Sequence, residues 1–175
     1  MLSGNITSTT IIIIIIITTN TAITIRFKTK DSGNWARIFD FANAKNINNI
    51  LFSVNRNNAK KIGYIVITSV QNIGTIDLDV NDDVWRHLVW TISTDGTWKF
   101  YINGVLYQTD VSMNVPNNVY RQYAWFGKTL WANEPSYNGF MDDFRIYNTA
   151  LDATDVTNLY QHTGTGPGNT NIIIN

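Results

Sequence analysis

Cysteine is absent from this 175-residue chain, proline occurs three times, and glutamate once, at Glu134. The lack of cysteine excludes disulfides, thiolate metal sites and a cysteine nucleophile, and leaves the redox compartment open. A single glutamate means that a glycosidase pair of carboxylates would have to draw on aspartates. Charged residues make up only 15% and the formal net charge is +0, so nothing favours nucleic acid or a strongly charged partner. Good helix formers are scarce, whereas Ile, Thr, Val and aromatics are plentiful, which is the composition of strands. Long apolar runs are missing too. The longest, Ile11–Ile17, falls far short of the about 20 residues of a spanning helix, so no membrane insertion is expected. No Lys or Arg precedes Arg26, so no signal peptide is evident. The run is bracketed by threonines and reads as a buried strand that its neighbours must cover.

What is present is densest between Asp83 and Gln108, which holds three of the six tryptophans. Asn103-Gly104 sits between alternating apolar runs, the strongest short-range hairpin signal, because a type I′ turn needs φ > 0 at both central residues. Trp98–Ile102 therefore turns and returns as Val105–Tyr107. Trp85–Ser93 joins the hairpin through Asp95-Gly96, making a three-strand meander.

Alternation of apolar and polar residues predicts further strands over Ala22–Lys30, Ala36–Phe41, Asn49–Val54, Gly63–Val70, Gly74–Val80, Tyr123–Leu130 and Phe140–Tyr147. One short helix is predicted over Ala153–Gln161, capped by Asp152 with Asp155 in its first turn and Val156, Leu159 and Tyr160 on one face. Gly164–Gly168 breaks regular structure. The expected division is a sandwich over residues 1–162 and a Gly-rich tail over 163–175, whose Asn171–Asn175 reads as a short strand. About a dozen short strands with regular turns mean an all-β, two-sheet antiparallel sandwich.

The residues Trp85-Arg86-His87-Leu88, Asp95-Gly96 and Phe100–Gly104, then Gly139–Asn148 with Ala150-Leu151, Asp155-Val156 and Leu159-Tyr160, carry a resemblance. With Arg37–Phe41 and Asn49-Ile50, where Ala42 replaces the usual glycine, they resemble the laminin-G-like branch of the concanavalin A-like lectin/glucanase superfamily. The resemblance covers about residues 6–162. It implies a jelly roll of two antiparallel sheets, one concave, and a place at a cell surface, outside the cell or on a virion; it implies much less about function, because the fold serves lectins, glycosidases and adhesion modules alike. It also implies Ca²⁺ near a sheet rim, for which Asp40, Asn43, Asp142 and Asp143 are the oxygen donors at hand. Asp143 could equally pair with Arg145. No cofactor is required by the sequence itself.

Enzyme chemistry finds little support. Asp77 and Asp79 alternate on a strand, but Leu78 between them makes theirs a solvated outer face. His87 shares a face with Trp85 and Val89 and reads as a packed, hydrogen-bonded histidine. A sugar site needs an aromatic platform and planar hydrogen-bonding groups. Loop residues Trp35, Trp131, Asn133 and Tyr137 fit that description, with Arg37 and Arg121 as added donors, whereas Trp85, Trp98 and Phe100 read as core. The expected function is a non-catalytic module that recognises a glycan or protein surface. The rival is a structural component of a larger assembly, such as a viral capsid or fibre, that meets other subunits through its terminal strands.

Overall fold

The computed structural model describes residues 15–30 and 32–163. Ile11–Ile14, the Gly-rich tail and the Asn171–Asn175 strand expected from sequence lie outside them. The described strands are β1 (Ile15–Ile16), β2 (Thr21–Thr29), β3 (Arg37–Ala42), β4 (Ile50–Arg56), β5 (Lys61–Ile67), β6 (Gln71–Ile76), β7 (Arg86–Ile92), β8 (Trp98–Ile102), β9 (Val105–Asp110), β10 (Tyr120–Arg121), β11 (Tyr123–Phe126) and β12 (Gly139–Tyr147). Among the described residues one helix, α1 (Ala153–Thr163), follows. They form two five-stranded antiparallel sheets, ordered β12-β2-β7-β8-β9 and β11-β3-β4-β5-β6, with a β1-β10 ribbon beside them.

Period-2 alternation explains the stacking of the sheets. Ile23, Ile25 and Phe27 of β2 and Leu88, Trp90 and Ile92 of β7 face Phe39, Phe41, Phe52, Tyr64 and Val66 of the other sheet, all in one core cluster. Rings bridge the layers: Phe52 stacks on Phe100 at 5.8 Å, Tyr64 on Phe100 at 4.9 Å, and Tyr64 meets Trp90 edge-on at 5.4 Å. Tyr64 lies over Gly74, where any side chain would collide with its ring.

The meander folds as its turns dictate. Asn103 (φ 51°) and Gly104 (φ 80°) both take the left-handed conformation of a type I′ turn. In α1, Asp152 accepts from the Asp155 amide (2.9 Å) and Asp155 accepts from the Asp152 amide (3.3 Å), a reciprocal capping box.

Several boundaries differ from expectation. β5 stops at Ile67 because Thr68 turns back onto the Val70 carbonyl. β6 stops at Ile76, so Leu78 and Val80 reach the core from irregular backbone. β11 ends at Phe126 because Gly127 enters a turn with φ 68°. The short β10 was not expected from sequence. Trp85 is not core: it precedes β7, is 39% exposed and lies against Arg26 at 5.4 Å. Arg121 is no surface donor either. It is buried, and its guanidinium donates to the carbonyls of Asn48 (2.9 Å), Asn117 (3.0 Å) and Val119 (3.3 Å). Burial pushes its pKa down to about 10.

Candidate functional site

On the β3-β4-β5-β6 sheet, residues that alternate with the core set point outward. Among them Leu51, Ile65 and Ile67 are buried, forming a second apolar cluster with Ile73, Trp35 and Trp131. No helix covers it. Its cover is two indoles from two loops, which are pinned together where Pro135 packs on Gly33. A Cβ at Gly33 would lie 2.6 Å from the proline ring. Trp35 itself adopts φ 62°, a left-handed conformation that costs a bulky residue of order 1–3 kcal/mol. Two hydrogen bonds hold it there: its amide donates to Asn55 O (3.3 Å) and its carbonyl accepts from Arg37 Nη1 (2.5 Å). Between the indoles lies an open cleft of about 140 Å³, lined also by Arg37, Asn46, Gln71 and Glu134.

Arg37 is the centre of the cleft. It is only 3% exposed and its Nη2 lies 2.8 Å from Glu134 Oε2. Burial pushes its pKa down, while Glu134 and Asp40 pull it back. Asp40, fully buried on the same face of β3, accepts from Asn49 Nδ2 (3.0 Å) and the Leu130 amide (3.4 Å). Thr129 Oγ1 lies 3.3 Å from Asp40 and 3.2 Å from Glu134, and its one proton can serve only one of them at a time. Burial raises both carboxyls above their ordinary values, against the lowering pull of Arg37. These carboxylates are occupied in holding Arg37 and the 129–134 loop, and Asp40 has no surface to show a substrate.

Of the sequence candidates, the structure brings together Trp35, Arg37 and Trp131. Asn133 is exposed in the same loop, next to Glu134. Tyr137 is turned elsewhere: its hydroxyl donates to Lys28 O (2.8 Å) and its ring packs on the main core. The calcium set does not converge. Asp40 belongs to β3, whereas Asp142 and Asp143 belong to β12 in the other sheet. Asp143 is answered by Arg145 at 2.7 Å, and Asn43 Oδ1 is buried without a hydrogen-bond partner. Among the described residues no three acidic, histidine or cysteine side chains are placed to share a metal. As one coordination sphere the set does not fit, and no chemistry is derived through it. Asp77 and Asp79 are exposed and paired with Lys61 (2.9 Å) and Lys60 (3.0 Å). His87 is packed as expected, against Tyr160 at 6.0 Å, but its Nδ1 is buried without a partner.

Sequence reading missed Glu134 as the partner of Arg37, and also missed the contributions of Lys45, Asn46, Arg56 and Gln71. A signal existed. β5 reads Ile62-Gly63-Tyr64-Ile65-Val66-Ile67, apolar on both faces, which marks a strand covered on both sides.

A profile of the laminin-G-like family, described as the concanavalin A-like lectin/glucanases superfamily, matches residues 5–157. The chain belongs to that family, and its sandwich is lectin/glucanase-like. Among solved structures it is similar to domain 4 of AbnA, a GH43 extracellular arabinanase from Geobacillus stearothermophilus, determined in complex with arabinotriose. That likeness has 21% identity and a TM-score of 0.66, covering 83% of this chain and 68% of that one. It is also similar to a native heptameric SAP-like pentraxin from Limulus polyphemus (16% identity, TM-score 0.64, covering 84% and 72%). A third likeness is to the receptor-binding domain of botulinum neurotoxin mosaic serotype C/D (20% identity, TM-score 0.63). There the match covers 82% of this chain but 36% of the toxin chain. No curated sequence matches.

Proposed function

We propose that this chain is a non-catalytic binding module that recognises glycan through the open outer face of the β3-β4-β5-β6 sheet. The observation that carries the reading is the cleft itself: two half-buried indoles over a buried apolar floor, with Arg37, Glu134, Asn46 and Gln71 at hand. Aromatic surface supplies contact area at low entropic cost, and planar side chains supply directional hydrogen bonds. The likeness to an arabinanase domain seen with arabinotriose lends support, as fold alone. The carboxylates nearby support binding over hydrolysis, since a glycosidase pair must flank the scissile bond and Asp40 is sealed beneath the surface.

The test is retention on a glycan array, compared with Trp131→Ala and Trp35→Ala. Retention that both substitutions abolish supports the reading. Absence of retention on any glycan overturns it and favours a protein surface or a structural role.

A further inference from the structure

The indoles of the cleft are not bare. The Arg56 guanidinium stands over Trp35 at 5.4 Å, and Arg37 stands over Trp35 at 5.0 Å and over Trp131 at 5.4 Å. Lys45 Nζ stands over Trp131 at 5.8 Å. The order along the face is thus cation, indole, cation, indole, cation. Arg56 lies along the sheet because Gly63 beneath it has no side chain; a Cβ there would come within 3.0 Å of the Arg56 Cδ. Each indole has two of these cations beside it, so a sugar that meets the rings also meets positive charge.

The cations are answered unequally. Arg37 has Glu134. Among the described residues no carboxylate lies within ion-pair distance of Arg56 or Lys45. The Nε groups of Arg37 and Arg56 are moreover buried without a hydrogen-bond partner. A buried donor left unpaired is costly, and a charged acceptor would relieve it. The formal net charge of the whole chain is +0, so the chain as a whole gives an anion no general attraction.

We infer that the cleft takes an acidic glycan, one whose sugars carry carboxylate or sulfate groups, with Arg56 and Lys45 receiving those groups at its two ends. The inference rests on the reading of this cleft as a glycan site and narrows its ligand class. Arg56 presents a planar fork suited to carboxylate or sulfate oxygens, and Lys45 a compact charge. The indoles hold these cations in place, which lowers the ordering cost of binding.

The experiment uses the full chain with four polymers: polygalacturonate, dextran sulfate, neutral arabinan and neutral dextran, at about 50 mM and about 300 mM salt. At the lower salt the expected result is binding to polygalacturonate, dextran sulfate or both, at least about tenfold tighter than to either neutral polymer. Which acidic polymer binds identifies the anion. The Lys45→Gln/Arg56→Gln variant is expected to lose at least about tenfold with an unchanged melting curve. Lys45→Gln alone, at an exposed residue, gives a smaller loss and keeps the test readable if the double variant is unfolded. Neutral polymers bound as tightly as acidic ones overturn the acidic class and leave the glycan reading standing. Acidic binding that survives the double substitution overturns the inference as nonspecific adsorption. Binding to none of the four overturns the acidic class, and the glycan array then decides whether the glycan reading falls with it.

Discussion

Val89 and Tyr101 on one sheet, and Leu51 and Ile65 on the other, are apolar or aromatic side chains buried outside the main core, and each pair needs a cover. The first pair is sealed by α1. Val156 is fully buried against Ala22, Val89 and Tyr101, with Tyr147 and Leu151 at the margin. The capping box starts the helix at the right place, and Tyr160 extends the cover onto His87. The second pair is covered by Trp35 and Trp131, side chains held on loops, with a cleft between them. The two faces solve one burial problem with different means. A helix brings its own satisfied backbone and closes the surface, so its residues serve stability. Two indoles leave a cleft between them, so the same burial keeps an open surface, the one proposed above for recognition.

The comparison breaks most visibly at Val156. Val156→Asp places an unpaired carboxylate under the helix, and we expect a loss of about 3–5 kcal/mol. In a chain of this size that is a fall of about 10 °C or more in Tm, read by thermal melting. A fall of a degree or two would mean that α1 is not the cover. The counterpart on the open face is Trp131→Ala. There the loss is about 1–2 kcal/mol, because the ring is only half-buried, while glycan retention disappears.

Between those effects lies the pH response of the sealed face. Burial is the main reason the His87 pKa is depressed from its ordinary 6.5 to about 4; Arg26 and Arg145 push the same way and Asp143 opposes them. As pH falls through 6.5 the unfolded chain takes up a proton that the folded chain refuses until about pH 4. Stability is therefore complete above pH 6.5, is lost through that window, and levels off below it, at a cost of about 3 kcal/mol. Asp40 and Glu134 act with the opposite sign, because their raised carboxyls favour the folded state as pH falls. The effect is read as a difference: denaturant unfolding at pH 7 and pH 4.5, for the natural chain and for His87→Gln. Equal slopes in the two proteins would show that His87 is already satisfied in the fold.

How much of this was legible in the sequence follows from the range of the interactions. The meander was readable because Asn103-Gly104 and Asp95-Gly96 act over two residues and the alternation of β7 and β8 over five. The helix was readable because Asp152 and Asp155 form a local box. Trp85 escapes the pattern because it lies one residue before β7, in backbone that does not follow the pleat. The cleft was half-readable. Trp35 and Trp131 stood out as loop aromatics, yet their meeting depends on Gly33 and Pro135, about a hundred positions apart. Glu134 seemed a lone loop glutamate because its partner, Arg37, sits across the sheet. Asp40 and Asp143 resembled each other as rim carboxylates, and only the sheet order separates them. The doubly apolar β5 was the local sign that the second outer face had a cover at all.

The smallest expected effect asks whether the open face presents its charges to a ligand. Of the charged residues around the cleft, Arg37, Arg56 and Lys45 are basic, and Asp40 is sealed from solvent. Glu134 is the partly exposed carboxylate among the described lining residues. Burial holds its carboxyl above the ordinary glutamate value, with Arg37 pulling the other way. Acidification therefore removes a negative charge from the cleft before ordinary carboxylates respond. Dextran sulfate is the right probe, since its sulfates stay ionised throughout. Its affinity should rise about two- to fivefold between pH 7 and pH 4.5, the size expected of one screened charge near an anion. Glu134→Gln should bind dextran sulfate more tightly than the natural chain at pH 7, and gain less than the natural chain on acidification. A fall in affinity on acidification, or a variant that tracks the natural chain, would mean that the Glu134 charge is spent wholly on Arg37 and that the ligand meets only the outer cations.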